Sequence, residues 1–369
     1  MALPEITPEI TLSPVSFSEL PGWDGDDHAV AFAAFRRSAK RLLARAADGA
    51  IKGPASPPDL LAACEAALAA GAGQGGAASK AFFEARFAPH RVLHAAPRGL
   101  LTGYYEPRVP GAREPTGAMR APIYRRPSDL ANMVDETERG AKSGGFTHMR
   151  RAASGLEPYF TRAEIEQGAL AGLGLEFFYF ADPVDVFFMQ VQGSGLVELP
   201  DGGEARVTYD GKNGYPYTSI GKYVIDAGLM SREEMSLAGL QAWLRADPAR
   251  GREVMWKNQS YVFFRELLGE EAGAPRGSFE IPLSTGRSLA VDTRHHAIGS
   301  PVYVSAPDLT HAGGESGFQR LMIAQDVGSA IVGPERGDIY FGSGQAAWDL
   351  ASVTQHPGNF FVLLPRAQG

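Results

Sequence analysis

At 369 residues the chain exceeds the size at which a single hydrophobic core usually stops growing, so two domains are expected. Apolar residues make up 44% and charged residues 21%, a globular composition, while 44 Gly and 26 Pro call for many turns between short, mainly β elements. A formal charge of −7 argues against a binder of nucleic acid or anionic membrane, whose affinity would come from clustered Lys and Arg, and suits a neutral or locally cationic ligand.

Cys64 is the only cysteine, which excludes an intramolecular disulfide and a thiolate metal cage; within its Ala/Leu-rich surroundings it reads as a small buried hydrophobe. The opening MALPEITPEITLSPVSF has neither the basic nor the apolar region of a secretory signal, and no stretch is apolar enough to span a bilayer, so the sequence by itself reads as soluble.

Residues 28–48 place Val30, Phe32, Phe35, Leu42 and Leu43 at helical spacing with Arg and Lys opposite, which predicts an amphipathic helix. Ala-rich patterns at 58–70 and 77–88, separated by GAGQGG, predict two more. From Leu101 the texture changes. LTGYYEPRV, APIYRR, LEFFYFADPVDVFFMQVQGSGLVEL and ARVTYDG are aromatic and β-branched with Asp-Gly and Asn-Gly turn signals, as in an antiparallel sheet or barrel. The stretch 128–160 is polar and Gly-rich and reads as a surface loop. Residues 218–247 return to a helical pattern, with Ser231 and Glu234 spaced as a capping box. Beyond them SYVFF, GSFEIPL, SLAVD, SPVYVSA, QRLMIAQDVGSAIVG, GDIYFG and NFFVLLP are strand candidates at the close spacing of a small closed barrel.

Asp292, Asp326 and Asp338 each lie at or beside a strand-like segment flanked by glycine. An aspartate there is either a partly desolvated carboxyl, with its pKa raised toward that of a general acid, or an acceptor of backbone hydrogen bonds in a turn. The order AVD, IGSPVYV, AQDVGSAIVG, GDIYFGSG resembles the C-terminal three-aspartate module of MltA-type lytic transglycosylases. LTGYYEP at 101–107, MQVQGSG at 189–195, YDGKNGYPYTSIGK at 209–222 and NQSYVFF at 258–264 resemble the same family in the same order, so the likeness runs over roughly 100–365.

The resemblance implies a mainly β fold with N-terminal helices (α+β). A double-ψ β-barrel domain is expected from 1–105 and 248–369, a second β-barrel inserted at 106–247, and a glycan groove at their junction. The implied activity is that of a carbon–oxygen lyase: cleavage of the bond between N-acetylmuramic acid and N-acetylglucosamine in peptidoglycan, leaving 1,6-anhydro ends. It makes Asp338 the single acid/base, with Asp326 tuning or orienting it. No cofactor and no metal are implied; the partners are peptidoglycan strands and cell-wall remodelling proteins, the chain a monomer, and the location the periplasm in association with the outer membrane, although no cysteine stands where a lipid anchor would attach.

Cleavage needs a proton on the leaving oxygen, and a hydrolase usually adds a second carboxylate. If the sugar's own C6 hydroxyl attacks C1, the carboxylate left by proton delivery can take that hydroxyl's proton, and one group serves both steps. Glycan binding calls for flat apolar surfaces and amides, for which the candidates are Thr102, Gly103, Tyr104, Tyr105, Gln190, Gln192, Gly193, Ser194, Asn213, Tyr217, Asn258, Tyr261 and Asp292. Against these stand structural alternatives: strand tyrosines pack, and glycines mark bulges. Gln190 and Gln192 would share a face of a regular strand.

Other signals carry less. Gly71, Gly73 and Gly76 fit a dinucleotide pattern but follow a helix, not a strand. His295 and His296 are adjacent and would point apart on a strand, and HExxH and GxSxG are absent. Glu106 could serve as a second carboxylate but reads as a structural contact. The competing functions are a hydrolase on the same scaffold and a noncatalytic glycan-binding protein.

Overall fold

The computed structural model describes residues 10–48, 57–95, 99–134, 145–277 and 279–366. The chain forms two compact units, the first from Met1–Tyr104, Arg276–Gly342 and Val353–Gly369, the second from Tyr105–Pro275 and Ser343–Ser352. Both are mixed, with sheets predominating.

The chain enters the first unit with β1 (Thr11–Pro14), α1 (His28–Asp48), α2 (Pro58–Ala69), α3 (Gly76–Arg86), β2 (Phe87–Leu93) and β3 (Gly99–Glu106). It then builds the second unit with β4 (Arg108–Ala112), β5 (Ala121–Tyr124), β6 (Leu130–Asn132), β7 (His148–Ala152), β8 (Gly155–Glu157), the single turn α4 (Arg162–Glu164), β9 (Glu176–Phe180), α5 (Pro183–Gln192), β10 (Ser194–Glu198), β11 (Glu204–Lys212), α6 (Ile220–Asp226), α7 (Leu237–Ala246), α8 (Pro248–Met255) and β12 (Val262–Leu267). The first unit resumes with β13 (Ser288–Val291), β14 (Pro301–Ala306), α9 (Thr310–Gly313), β15 (Phe318–Asp326) and β16 (Arg336–Ser343), followed by α10 (Gln345–Ala351) and finally β17 (Gln355–Pro365).

In the first unit β17, β14, β15, β13, β16 and β3 follow one another around a ring that β3 closes by pairing with β17, and β2 and β1 extend it at the side. Closure leaves those six strands without a free edge. β13, β14 and most of β15 are buried on both faces, which is why they read as continuous apolar runs rather than as alternation. The helix α1 covers β15, whose Gln325 donates through Nε2 to Ala34 O and Ser38 Oγ of α1. Its buried face holds Ala31, Phe32, Phe35, Ala39 and Leu42, and Phe32 and Phe35 meet Phe83 edge-on. Burying each such ring contributes about 1.5–3 kcal/mol. Val30, expected on that face, is exposed.

In the second unit the order is β12-β11-β10-β4-β9-β5, and a bridge between Arg125 and Phe264 links the far ends. Its core is Val109, Ile123, Phe178, Phe180, Met189, Val197, Val207 and Phe264. The helices α5 to α8 enclose a second cluster that includes Phe187, Val224, Leu244 and Met255. Of the stretch 128–160 expected as a loop, 135–144 lies outside the described residues; the flanking parts pair as β6, β7 and β8.

Several expectations need correction. The first unit was expected to resume at 248, but α8 packs among the helices of the second unit and β12 pairs with β11, so the return comes at Arg276. The aromatic run around 176–198 is not one strand. Asp182 caps α5 by accepting from Val184 N at 2.9 Å, Pro183 opens it, and Gly193, at φ +78°, ends it. Burial lets a helix carry Val and Phe despite their strand preference. Ser231 and Glu234 exchange the bonds of a capping box around a turn, but the next helix starts later, at Leu237, capped by Ser236. The described residues of GSFEIPL form no strand beyond a bridge between Arg276 and Pro282.

Candidate active site

The central strand of the acidic site is β13. Ala290 pairs with Asp338 of antiparallel β16 on one side and with Asp326 of parallel β15 on the other. An irregularity in the β13–β15 register sets Asp326, rather than Gln325, opposite Ala290. Gly277 allows the chain to close over this strand end, since a Cβ there would lie 2.9 Å from the Asp326 carboxyl carbon.

Next to β16 in the ring is β3, which carries Thr102, Gly103 and Tyr104. Thr102 Oγ1 donates to Asp338 Oδ1 at 2.5 Å, and Tyr104 donates through its hydroxyl to Asp326 Oδ2 at 3.2 Å. Asp326 Oδ1 accepts from Val327 N at 2.9 Å. The Tyr104 ring leans on Tyr340, with centroids 5.2 Å apart.

Asp338 retains some exposed surface but is closely surrounded. Desolvation raises its pKa; the Thr102 bond and the charge of Arg336 pull the other way, Asp326 adds to the rise, and the net shift is upward. Burial, with the two carboxylates beside it, keeps the Tyr104 phenol well above its ordinary pKa, so that it stays a donor. The site therefore presents a carboxyl disposed to hold a proton, with Oδ1 engaged by Thr102.

Arg336 was not singled out from sequence. Its Nη2 donates to Thr102 Oγ1 at 2.9 Å and its Nη1 to Gly337 O at 2.6 Å. The available signal was its position two residues before Asp338 on one strand, which puts both side chains on one face. Among the described residues no group of three or more His, Cys, Asp or Glu is arranged to hold a metal ion.

The other predicted residues are placed differently. Asp292 does not offer its carboxylate to a ligand: it accepts from Arg294 and from Gly333 N at 2.8 Å, is almost fully buried, and closes the turn after β13. Burial would raise its pKa, but the Arg294 side chain and the backbone donors more than offset this and hold it low. In the second unit Asn213 is sealed, accepting from Tyr261 N and donating to Phe160 O and Gln259 O, each at 2.8 Å. Asn258 accepts from Thr218 N and Ser260 N, and Tyr261 lies in the core. These three hold loops together rather than line a surface. Gln190 and Gln192 sit on α5, not on a strand face; Gln190 is buried, and Gln192 accepts from Tyr105 N at 3.2 Å. Tyr105 and Ser194 are buried, whereas Tyr217 and Gly193 keep partial exposure.

Glu106 has no exposed surface. It accepts from Arg206 Nε at 2.8 Å and from Ser343 Oγ at 2.5 Å, and serves the interior of the second unit.

Fold and site together define a protein of two β modules, one of them carrying a partly open, desolvated aspartic acid on a strand of a closed ring. Two family descriptions match in the same arrangement: the MltA specific insert domain over residues 100–265 and the 3D domain over 287–364. The membrane-bound lytic murein transglycosylase A of Vibrio cholerae is 36% identical over 269 residues, covering 72% of this chain and 65% of that protein. The crystal structure of a membrane-bound lytic murein transglycosylase from Agrobacterium tumefaciens superposes with a TM-score of 0.85 at 35% identity, covering 96% of this chain and 98% of the other. Escherichia coli MltA with bound chitohexaose matches with a TM-score of 0.66 at 28% identity over 98% of this chain and 93% of the other. The chain belongs to the MltA family of lytic transglycosylases.

Proposed function

We propose that the chain is a lytic transglycosylase that cleaves the bond between N-acetylmuramic acid and N-acetylglucosamine in peptidoglycan, with Asp338 as the single acid/base. The observation that carries this reading is the Asp338 carboxyl itself, desolvated, flanked by Asp326 and bound by Thr102 through one oxygen only. The relatives named as murein transglycosylases and the chitohexaose complex of E. coli MltA support the substrate class.

In the first step protonated Asp338 gives its proton to the glycosidic oxygen as the bond to C1 breaks, releasing the leaving sugar as an alcohol. The oxocarbenium-like centre at C1 is then captured by the C6 hydroxyl of the same muramic residue, and the Asp338 carboxylate takes the proton that this hydroxyl loses. The acid is restored and no water is consumed. Burial, with the charge of Asp326 adding to it, keeps the Asp338 pKa raised, and Tyr104 holds Asp326 in place. Thr102, Gly103 and Tyr104 border the reacting centre, and Gln192, Gly193 and Tyr217 are the remaining candidates for sugar contact.

The envelope is the site of action inferred from the substrate and from the "membrane-bound" relatives, with outer-membrane association, cell-wall partners and a monomeric state as parts of the same reading; among the described residues no helix is long and apolar enough to cross a membrane.

Digestion of purified peptidoglycan, with mass spectrometry of the soluble products, tests the proposal. Muropeptides ending in 1,6-anhydro-muramic acid are expected. Products heavier by one water would instead assign a hydrolase in which Asp326, flanking the same residue as Asp338, activates water. Binding without release of products would make the chain a glycan-binding protein.

A further inference from the structure

We infer that Arg336 is a positioning residue for Asp338, acting through the Thr102 hydroxyl to decide which carboxyl oxygen carries the transferable proton. This rests on the assignment of Asp338 as the acid.

The hydroxyl of Thr102 has one hydrogen, and its oxygen accepts from Arg336 Nη2 at 2.9 Å. With the acceptor side of that oxygen held by a guanidinium, its hydrogen is turned toward Asp338 Oδ1 at 2.5 Å. An oxygen that permanently accepts a hydrogen bond is a poor place for the acid's proton, so the proton of neutral Asp338 sits on Oδ2. Proton delivery then proceeds from one defined oxygen, and the return step brings the C6 proton to the same atom.

Arg336 makes no direct ion pair with Asp338. Its other bonds go to Gly337 O and, at 3.5 Å, to Leu100 O, so the guanidinium is anchored to the backbone beside the acid without occupying the carboxylate. A direct bidentate pair would favour the charged form and remove the proton the reaction needs. One hydroxyl of separation keeps the orientation while leaving the acid protonatable. The groups that face Asp338 are Thr102 and Tyr104 from β3, Asp326 from β15, and Arg336 and Tyr340 from its own strand; Ala290 of β13 contributes none.

The test is a double-mutant cycle read in two ways on the full chain. In Arg336→Met, Thr102→Val and the double variant, the Asp338 titration is followed by carboxyl carbon NMR, and kcat and KM are measured on solubilised glycan strands across pH. Arg336→Met is expected to move the Asp338 midpoint to higher pH, because a neighbouring positive charge is lost. It should lower kcat about tenfold or more with little change in KM, as expected for a misaligned reacting group. Thr102→Val is expected to do the same. The double variant should lose no more than about a further twofold in kcat, since the two residues act as one unit. Thr102→Ser, which keeps the hydroxyl, should restore turnover.

Losses that multiply in the double variant, or an unmoved Asp338 midpoint in Arg336→Met, would overturn the relay. If the wild-type chain released no products, the proposed function would fail, and the NMR titration alone would still decide whether Arg336 acts on Asp338.

Discussion

Asp338 in the first unit and Glu106 in the second are built from the same three parts: a carboxyl, a hydroxyl bound to it at 2.5 Å, and an arginine close by. Desolvation raises the pKa of both. They differ in connection. Around Glu106 the guanidinium of Arg206 bonds the carboxylate directly, Ser343 takes the other oxygen, and nothing is exposed. Around Asp338 the guanidinium stands behind the hydroxyl, one oxygen is left, and part of the residue stays open. A raised pKa therefore does not identify a reactive carboxyl by itself; the proposed role of Asp338 rests also on the oxygen that Thr102 leaves unengaged.

Substitutions that remove one partner at a time sharpen this contrast. The largest expected effect on stability is at Glu106. Glu106→Leu leaves Arg206 and Ser343 without their carboxylate, and breaking a buried pair in this way costs about 3–5 kcal/mol, measurable by urea unfolding of the full chain. Turnover per folded molecule should remain near that of the wild type; a hundredfold loss would make Glu106 part of the chemistry.

Asn213→Ala comes next. Three buried hydrogen bonds are lost and their partners left unsatisfied, for a cost of about 2–4 kcal/mol. If Asn213 instead bound sugar, thermal melting would be unchanged and KM would rise.

Asp292→Asn should destabilise by about 1–2 kcal/mol at neutral pH. The folded pKa of Asp292 is depressed, so its contribution is present above the ordinary aspartate value and is lost as pH falls through the folded one. Melting curves of wild type and variant should therefore converge in acid.

The smallest effect has the opposite sign. Because the folded pKa of Asp338 is raised, ionisation costs the folded state stability as pH climbs from the ordinary aspartate range through that raised value. Asp338→Asn removes the cost, so the variant should melt slightly above the wild type at neutral pH and level with it in acid. A variant less stable at every pH would mean that the carboxylate is a structural acceptor.

Much of the first unit was legible in sequence because its strands are short, β-branched and separated by glycine, so that SLAV, PVYVSA and RGDIYFGS announce themselves one after another. Asp326 and Asp338 stood out in sequence as acidic residues at or beside strand segments, but so did Asp292, and only the family resemblance set Asp338 first. The pairing of Asp326 and Asp338 with Ala290 was not legible, since it depends on a register irregularity that only the folded sheet defines. In the second unit the helix α5 was misread although Asp182, Pro183 and Gly193 are ordinary cap signals; the Val and Phe content outweighed them. The amides of Asn213 and Asn258 looked like ligand contacts because composition cannot tell an exposed amide from one that ties Phe160, Gln259 and Tyr261 together in the interior. Arg336 escaped notice because its partner is a threonine more than two hundred residues away in the chain.

The most direct test of the central claim is the turnover of Asp338→Asn on purified peptidoglycan, beside the wild type and with folding verified by its melting curve. Loss of anhydro-muropeptide release by about a hundredfold or more in a folded variant is the predicted result, since general acid/base catalysis contributes at least about that much. Release within a few-fold of the wild type would contradict the account and return the search for the acid to Asp326.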